Sequence, residues 1–383
     1  MYATLYHAFL DLLGVEIPFL KIFMMFGFFV ALAFVAASYV MTLDMKRYEA
    51  EGVIKPFQVA VKEPDARWEY ITSAVIGFLF GFKVLHLFLN LGTLADDPQS
   101  YLMSTQGSLP LGIILMLAFV GYKYYQLKNT SPVEKGLTET FYPHTMMGNM
   151  TLVAALAGFA GAKLFHHLEH FGDLIDDPMV LFRDPFSGLT FFGGLIAGGA
   201  AVIWYSSKRG VNWKTMLDIG GPGMMLAYGV GRMGCHMSGD GDWGVENLAP
   251  KPDWLSWAPD WVWAYNYEGN VHGMVLENPV WPTPFYEVIM ALAIFGILWG
   301  IRKKFAPGVL FSIYLIFAGL ERFIIEKIRV NPDYHFLGMN FTQAEMISFT
   351  MMLLGVIGII YFNKINKNKT STDGTATESV SEA

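Results

Sequence analysis

The chain has 383 residues, of which 54% are hydrophobic and only 15% are charged, and its mean hydropathy is +0.39. Soluble domains carry about 25% charged residues, so this composition excludes an ordinary soluble protein and indicates an integral membrane protein. The net charge of −7 argues against a nucleic-acid partner, and the single cysteine excludes an internal disulfide framework and a cysteine-based zinc cluster.

Nine apolar segments are long enough to cross the roughly 30 Å of hydrocarbon in a bilayer. They lie near residues 19–42, 70–91, 108–126, 146–168, 189–206, 215–235, 284–301, 308–326 and 342–362. We therefore predict an all-α fold over residues 1–362, a polytopic transmembrane helical bundle of about nine spans. The N-terminal segment has no basic region followed by a cleavage site, which favours a retained span over a removed signal peptide. The polar residues 363–383 predict a disordered cytoplasmic tail.

Lysine and arginine are concentrated in alternate links between these segments, near 43–69, 122–136, 207–214 and 302–304, and in the tail. Because cytoplasmic loops are enriched in these residues, we predict that the N-terminus faces out and the C-terminus faces the cytoplasm. The long outer segment 236–283 is rich in tryptophan, which prefers the headgroup level. We expect it to form a cap on the outer membrane surface, with an ordinary loop carrying aromatic anchors as the alternative.

An internal repeat recurs at an offset of 80 residues. The copies share a glycine, a lysine, a histidine, a leucine and an Asp-Asp-Pro triplet, at Gly81, Lys83, His86, Leu94 and 96–98 in one and at Gly161, Lys163, His166, Leu174 and 176–178 in the other. Each full copy, 70–128 and 150–208, holds two spans and an outer loop, so both copies enter the membrane in the same orientation. The pattern predicts a parallel repeat of two spans rather than an inverted one.

The most distinctive motif is G-R-M-G-C-H-M-S-G-D-G-D-W-G at residues 231–244, at the outer end of the sixth predicted span. Ionisable groups at membrane depth are costly and are usually functional. Arg232 carries a planar guanidinium that forks onto phosphate, and the glycines allow close backbone approach. The structural alternative is a glycine-rich helix end whose arginine reaches the interface. A second buried arginine cluster elsewhere in the chain favours an anionic ligand, most simply a lipid phosphate.

That second cluster is Arg322, Glu326 and Arg329, whose spacing of four and three residues places them on one helix face. We predict that Glu326 holds both arginines by intrahelical pairing. The alternative, chiefly for Arg329, is a surface stripe at a helix end whose charges only neutralise one another. At the outer start of another span, Tyr286 and Glu287 of the P-T-P-F-Y-E segment are placed to form hydrogen bonds at the mouth of a cavity.

Two further patterns favour structural roles. The small residues of 189–199, which include Gly193 and Gly194, are typical of closely packed helices. The histidines have no accompanying H-E-x-x-H pattern, so polar pairs inside the bundle are favoured over a metal site, at His86, His166, His167 and His170.

Four of these motifs, in this order, make the chain similar to the prolipoprotein diacylglyceryl transferase family. They are L-T-F-F-G-G-L-I at 189–196, the signature at 231–244, P-T-P-F-Y-E at 282–287 and R-F-I-I-E-K-I-R at 322–329. The resemblance implies a bacterial cytoplasmic (inner) membrane enzyme that transfers the diacylglyceryl group of phosphatidylglycerol to the lipobox cysteine of a preprolipoprotein. Its partners would be phosphatidylglycerol, preprolipoprotein signal peptides and membrane lipids, with no metal or other cofactor.

The resemblance also implies roles for single residues. Arg232 and Arg322 would hold the headgroup phosphate and stabilise the leaving phosphate, and Glu326 and Asp240 would orient these arginines. With His236 these residues form the predicted catalytic set. The predicted substrate-binding residues are Gly193, Gly194, Ser238, Gly244, Tyr286, Glu287 and Arg329.

This chain departs from the family pattern at several positions. The family's usual histidine, a candidate base, is Phe192 here, its asparagine is Cys235, its glutamate is Asp240, and its first-span tyrosine is Phe23, with one residue inserted before Trp243. Either His236 supplies the base, or the arginines lower the thiol pKa enough that no base is needed. Two other functions stay open: a membrane transporter built on this scaffold, and a non-catalytic relative that binds lipids or signal peptides.

Overall fold

The computed structural model describes residues 1–60, 65–90, 101, 104–129, 138–176, 188–330, 333–336 and 339–381. The described part of the chain is mostly helical. Its α-helices are α1 (Leu5–Leu13), α2 (Met25–Ala50), α3 (Ala66–Leu79), α4 (His86–Leu89), α5 (Leu109–Asn129), α6 (Met147–Glu169), α7 (Phe171–Asp176), α8 (Phe191–Ser207), α9 (Trp213–Ser238), α10 (Thr283–Ile301), α11 (Val309–Glu326) and α12 (Gln343–Ser381). A π-helical turn, Phe80–Leu85, joins α3 to α4.

Five helical segments of the described residues are long and apolar enough to cross a membrane: Met25–Ala50, Ala66–Leu89, Pro143–Glu169, Thr283–Ile301 and Gln343–Asn366. The chain is therefore a helical membrane protein. The other four predicted spans each coincide with a helix, α5, α8, α9 or α11, that falls outside this set. The helices α9 and α11 carry charged side chains, among them the buried Asp218 on α9 and the buried Glu321 and Glu326 on α11, which lowers their apolar character.

Helix α9 lies at the centre and packs against α2, α10 and α11. The Asn212 side chain begins it by accepting a hydrogen bond from the Lys214 N–H at 3.0 Å, and Gly239 ends it in the left-handed conformation at φ 63°. Glycines on α9 allow this close packing. A Cβ at Gly229 would lie 3.1 Å from Ala291 of α10, and one at Gly234 would lie 2.8 Å from Phe29 of α2.

A buried carboxylate on α9 fixes the start of α11. Asp218 is 2% exposed, and its two oxygens accept hydrogen bonds from the backbone N–H groups of Gly308 at 2.6 Å and Phe311 at 2.8 Å. These N–H groups at the start of a helix have no partner within it, so Asp218 satisfies them across two helices. This contact sets the position of α11 relative to α9.

In two helical hairpins, a glycine allows the neighbouring helix to pack closely. Gly81 of the π-helical turn lies against the backbone of Leu111 and Gly112 on α5, and Gly161 of α6 lies against Gly193 and Ala197 on α8. Gly81 and Gly161 are equivalent positions of the predicted repeat. Most of the predicted Asp-Asp-Pro triplets lies outside the described residues.

Short antiparallel sheets connect parts of the bundle. β1 (Phe57–Ala60) pairs with β2 (Thr138–Phe141), and β3 (Asp333–Phe336) pairs with β4 (Met339–Thr342). The segment 236–283, predicted to lie on the outer side, contains two 3₁₀ turns, Asp253–Leu255 and Asp260–Val262, and isolated bridges. The backbone of α12 continues as helix to Ser381, through the polar segment predicted to be disordered, and disorder of that segment in solution stays a prediction.

Candidate active site

Charged side chains from three helices meet at one end of the bundle. The C-terminal ends of α9 and α11 lie beside the N-terminal end of α10, because α10 runs antiparallel to both of them. We call the resulting set the guanidinium cluster: the three arginines Arg232, Arg322 and Arg329 with the three carboxylates Asp242, Glu287 and Glu326.

Glu287 lies at the centre of the cluster and is 0% exposed. Its Oε2 lies 2.8 Å from Nε of Arg232, and its Oε1 lies 3.5 Å from Nη1 of Arg322 and 3.4 Å from Nη1 of Arg329. The Arg232 contact is an ion pair rather than a well-directed hydrogen bond, since no N–H points along it. Arg232 and Arg322, from separate helices, thus converge on one carboxylate, and their binding of a lipid phosphate stays a prediction.

Asp242 joins two of the arginines from the opposite side. It pairs with Arg232, and its Oδ1 accepts a hydrogen bond from Nη2 of Arg329 at 2.6 Å. Burial alone would raise the pKa of Asp242, but the charges and hydrogen bonds of Arg232 and Arg329 outweigh burial and hold that pKa below its usual range. The carboxylate is therefore ionised and fixes two guanidinium groups.

The predicted partners of the arginines are correct only in part. Glu326 lies 2.9 Å from Arg322, as the helical spacing predicts. Arg329 does not pair with Glu326 on the same helix face, because α11 ends at Glu326 and the chain turns there. Arg329 reaches Asp242 and Glu287 instead, and its buried Nε makes no hydrogen bond among the described residues.

Asp240 is not in contact with an arginine in the described part of the chain, contrary to its predicted orienting role. Its side chain accepts a hydrogen bond from the Asp242 N–H at 3.3 Å, and its backbone oxygen lies 2.9 Å from Nε2 of His272. The reason is local. Gly239 and Gly241 both have positive φ, and the turn they form brings Asp242 rather than Asp240 to the arginines. The resemblance implied the orienting role for Asp240, whereas Asp242 is the aspartate that pairs with Arg232 and Arg329.

Gly244 brings the end of the signature to Arg329. The two residues form an isolated antiparallel bridge, and the N–H of Val245 donates to the Ile328 carbonyl at 2.9 Å. A Cβ at Gly244 would lie under 3.0 Å from the Ile328 oxygen, from Trp281 and from Thr283. The Thr283 hydroxyl also donates to the Asp242 carbonyl at 2.9 Å. The glycine is therefore required by close backbone approach.

His236 lies one turn beyond Arg232 and is enclosed by aromatic rings. It is 5% exposed, and its Nδ1 lies 3.1 Å from the Tyr267 hydroxyl. Its ring centroid lies 5.4 to 6.1 Å from those of Trp261, Tyr265, Tyr267 and Phe285. Trp261 and Tyr265 also line a cleft of about 1030 Å³ beside the N-terminus. The role of His236 as a base stays a prediction.

The remaining predicted substrate-binding residues have structural contacts. The Ser238 hydroxyl is buried and lies 3.4 Å from the Cys235 carbonyl, and the Tyr286 hydroxyl donates to the Val262 carbonyl at 2.7 Å. Gly193 and Gly194 lie in the packing of α8 against α6, where a Cβ at Gly193 would meet Phe165 and Gly161. Their substrate contacts stay predictions.

Sequence reasoning missed Glu321 and Tyr228. Glu321 precedes Arg322 on α11 and is only 3% exposed, and its Oε1 lies 3.5 Å from the hydroxyl of Tyr228 on α9. The Tyr228 ring lies 5.3 Å from the Arg232 guanidinium. The sequence offered one clue, which is a second acidic residue in an apolar helix immediately before Arg322, an arginine predicted to bind phosphate.

Two sets of described side chains could hold a metal ion: His166, Glu169 and His170, and Cys235, Asp240 and Asp242, with ligand atoms within 4.8 Å in each. In the second set, Asp242 already binds two guanidinium groups, and Arg232 Nη1 lies 3.7 Å from the Cys235 sulfur. A cation there would have to displace Arg232 and Arg329 from Asp242, which disfavours a metal ion at this set.

Comparison with known proteins points to one family. The family described as prolipoprotein diacylglyceryl transferase matches residues 110–361, a range that contains the whole guanidinium cluster. A phosphatidylglycerol–prolipoprotein diacylglyceryl transferase of Clostridium tetani is 30% identical over 216 residues, 56% of this chain and 79% of that relative. The protein of the same name from Idiomarina loihiensis is 26% identical over 257 residues, 66% of this chain and 88% of that relative. A second transferase of this name from Clostridium perfringens is 29% identical over 239 residues, 61% and 83% of the two chains.

Proposed function

The chain belongs to the prolipoprotein diacylglyceryl transferase family, and from this premise we propose that its guanidinium cluster binds the phosphate of phosphatidylglycerol. The bound lipid gives its diacylglyceryl group to the cysteine thiol of a preprolipoprotein. The sulfur attacks the glycerol carbon that carries the phosphate, the carbon–oxygen bond breaks, and glycerol 1-phosphate leaves with the electron pair. The observation that carries this proposal is the convergence of Arg232, Arg322 and Arg329 on shared carboxylates.

The chemistry needs stabilisation of charge on the leaving phosphate. A phosphate diester carries one negative charge, and the departing monoester develops a second. Guanidinium groups fixed before the reaction stabilise that charge without reorganising, which is commonly the largest contribution to such catalysis. Asp242, Glu287 and Glu326 hold the arginines in place. Nε of Arg329, which has no hydrogen-bond partner among the described residues, offers a donor to an incoming phosphate oxygen.

The neutral balance of the cluster favours exchange of the lipid. Three guanidinium groups face three carboxylates, so the resting site carries no large excess of positive charge. A bound phosphate would draw the arginines partly away from Glu287, which accepts from Arg322 and Arg329 only at 3.5 and 3.4 Å. Those long contacts leave room for stronger pairs with a phosphate oxygen.

The wider assignment includes partners and topology. We propose that signal peptides of preprolipoproteins and membrane lipids surround the site. We also propose that nine spans form the bundle, with two parallel copies of a two-span unit. The N-terminus then faces out and the C-terminus faces the cytoplasm. The guanidinium cluster lies at the end of α9, which leads directly into the long segment 236–283 predicted to cover the outer surface, and this supports a site near the outer leaflet.

The test is an assay of purified protein with phosphatidylglycerol and a lipobox peptide, read by mass spectrometry of the thioether. We expect product from the natural chain and none from Arg232→Ala or Arg322→Ala. Solute counter-transport in liposomes without thioether would favour a transporter. Peptide binding with neither activity would favour a non-catalytic relative, a possibility raised by Phe192 in place of the family's histidine.

A further inference from the structure

We propose that Glu321 is the general base that takes the proton from the acceptor thiol. This inference rests on the transferase function proposed above and identifies a residue for the proton transfer. Glu321 is a buried carboxyl group beside the guanidinium cluster, and in the described part of the chain it forms no ion pair with an arginine.

Glu321 lies close to the guanidinium cluster. It is 3% exposed and adjoins Arg322 in α11, and its Oε1 accepts a hydrogen bond from the Tyr228 hydroxyl at 3.5 Å. Tyr228 lies one helical turn before Arg232, and its ring lies 5.3 Å from that guanidinium. Glu321 is thus linked to both arginines expected to hold the lipid phosphate.

The partners of Glu321 differ from those of every other acidic member of this region. Asp242, Glu287 and Glu326 each contact at least one guanidinium group within 4.0 Å. Glu321 forms no ion pair in the described part of the chain, and a tyrosine hydroxyl is its one hydrogen-bond donor there. A carboxylate bound to arginine is a weak base, whereas one buried without a counter-ion has a higher proton affinity and suits proton abstraction.

The charge balance of the reaction also favours Glu321. The charged and titratable groups that face it are Arg232 and Tyr228 of α9, Glu287 of α10, and Arg322 and Tyr314 of α11. A proton received by Glu321 removes one negative charge from this region. The leaving phosphate acquires its second negative charge in the same step, so the total charge near the arginines stays constant.

The proposed step is balanced. The thiol proton moves to the Glu321 carboxylate oxygen that does not bind Tyr228, and the sulfur forms a bond to the glycerol carbon. The bond between that carbon and the phosphate oxygen breaks, and its electron pair stays on the phosphate. The Tyr228 hydroxyl holds the other carboxylate oxygen and acts as a positioning residue. Glu321 then releases its proton to the departing phosphate or to water, which restores the carboxylate.

Glu321 would supply the base that the resemblance implies at position 192, where this chain has phenylalanine. The Phe192 side chain cannot accept a proton, and it is 42% exposed on α8. The alternative base, His236, has one ring nitrogen 3.1 Å from the Tyr267 hydroxyl and is enclosed by four aromatic rings. Glu321 is the candidate that lies beside the arginines themselves.

The test compares Glu321→Gln with the natural chain in the thioether assay, using peptides that carry either cysteine or selenocysteine. We expect Glu321→Gln to lower turnover of the cysteine peptide by about 100-fold or more, the usual contribution of a general base, with lipid binding unchanged. A selenol is already ionised at neutral pH and needs no base, so the selenocysteine peptide should restore most of the rate. Arg232→Ala should not be rescued in this way.

The pH profile provides a second readout that a structural role would not change. Without its base, the Glu321→Gln variant can use only cysteine peptide whose thiol has already ionised in solution. Its turnover should therefore rise about tenfold per pH unit up to a pH of about 8.5. Glu321→Asp, which keeps the carboxylate, should retain a flatter profile. The matched control is Glu345→Gln, another buried glutamate, on the neighbouring helix α12, and its profile should equal that of the natural chain.

Each outcome has one meaning. Normal turnover by Glu321→Gln, or failure of the selenocysteine peptide to rescue it, would overturn the inference and leave the transferase function intact. A steep profile in His236→Ala rather than in Glu321→Gln would assign the base to His236. Absence of thioether from the natural chain would instead contradict the proposed function itself.

Discussion

Gly244 and Arg329 lie side by side in an antiparallel bridge, so the last glycine of the signature directly supports an arginine of the guanidinium cluster. A methyl group at Gly244 would collide with the backbone oxygen of Ile328, the residue before Arg329. We expect Gly244→Ala to lower turnover at least tenfold and to lower the melting temperature, because the bridge must open. Gly296→Ala is the control, since its Cβ would meet no atom within 4 Å. Equal loss in both variants would contradict this account.

Arg232→Lys tests whether shape matters as well as charge at the site. Arg232 contacts Asp242 and Glu287 with different nitrogens of one planar group, whereas a lysine ammonium is a single point charge. We expect turnover to fall at least tenfold with the net charge unchanged. The exposed Arg67→Lys should have no effect in the same thioether assay. Full activity of Arg232→Lys would mean that charge alone suffices.

Asp242→Asn tests the carboxylate that joins Arg232 and Arg329. The lowered pKa of Asp242 means that its ion pairs stabilise the fold fully above its ordinary pKa of 3.8, and that this stability is lost as the pH falls through the lowered value. We expect Asn to cost about 1–3 kcal/mol of unfolding free energy at pH 7, because charged hydrogen bonds are lost. The difference between the two proteins should shrink below pH 3.8, as measured by thermal unfolding in detergent. A difference independent of pH would contradict the ion-pair explanation.

Gly193→Ala separates helix packing from substrate binding. A Cβ at Gly193 would lie 2.6 Å from the Gly161 oxygen, so α6 and α8 would have to move apart. We expect a lower melting temperature and an unchanged KM for phosphatidylglycerol in the remaining active protein. Gly199 is on the same helix, and a Cβ there meets no atom within 4 Å, so Gly199→Ala should behave as the natural chain. A raised KM without loss of stability would support the predicted substrate-binding role.

Much of the fold could be predicted from the sequence, because membrane helices are specified by long apolar runs. Each of the nine predicted spans coincides with a helix, although five segments meet the length and hydropathy expected of a membrane span within the described residues. The central position of α9 could not be predicted from apolarity. It follows from glycines and from the Asp218 cap, whose partners Gly308 and Phe311 are some 90 residues away in the chain.

The residues of the site could likewise be predicted only in part. Arg232, Arg322, Glu326, Glu287 and Arg329 were all predicted as site residues, because each is a charged residue in an apolar or glycine-rich setting, and all five belong to the guanidinium cluster. Two details depended on local backbone geometry. The end of α11 at Glu326 redirects Arg329, and the glycine turn at 239–241 selects Asp242 over Asp240. Neither can be derived from helical spacing.

The pairing of β1 with β2 has a consequence for how this chain can change over time. Ala60 and Thr138 face each other across that small sheet, so the polypeptide leaves the bundle and returns to it at one place. Within the described residues, α3 and α5, which lie between these strands, pack mainly on each other and on the π-helical turn that joins α3 to α4. The helices described between the two strands can therefore be lengthened or exchanged while the helices that bear the arginines keep their positions.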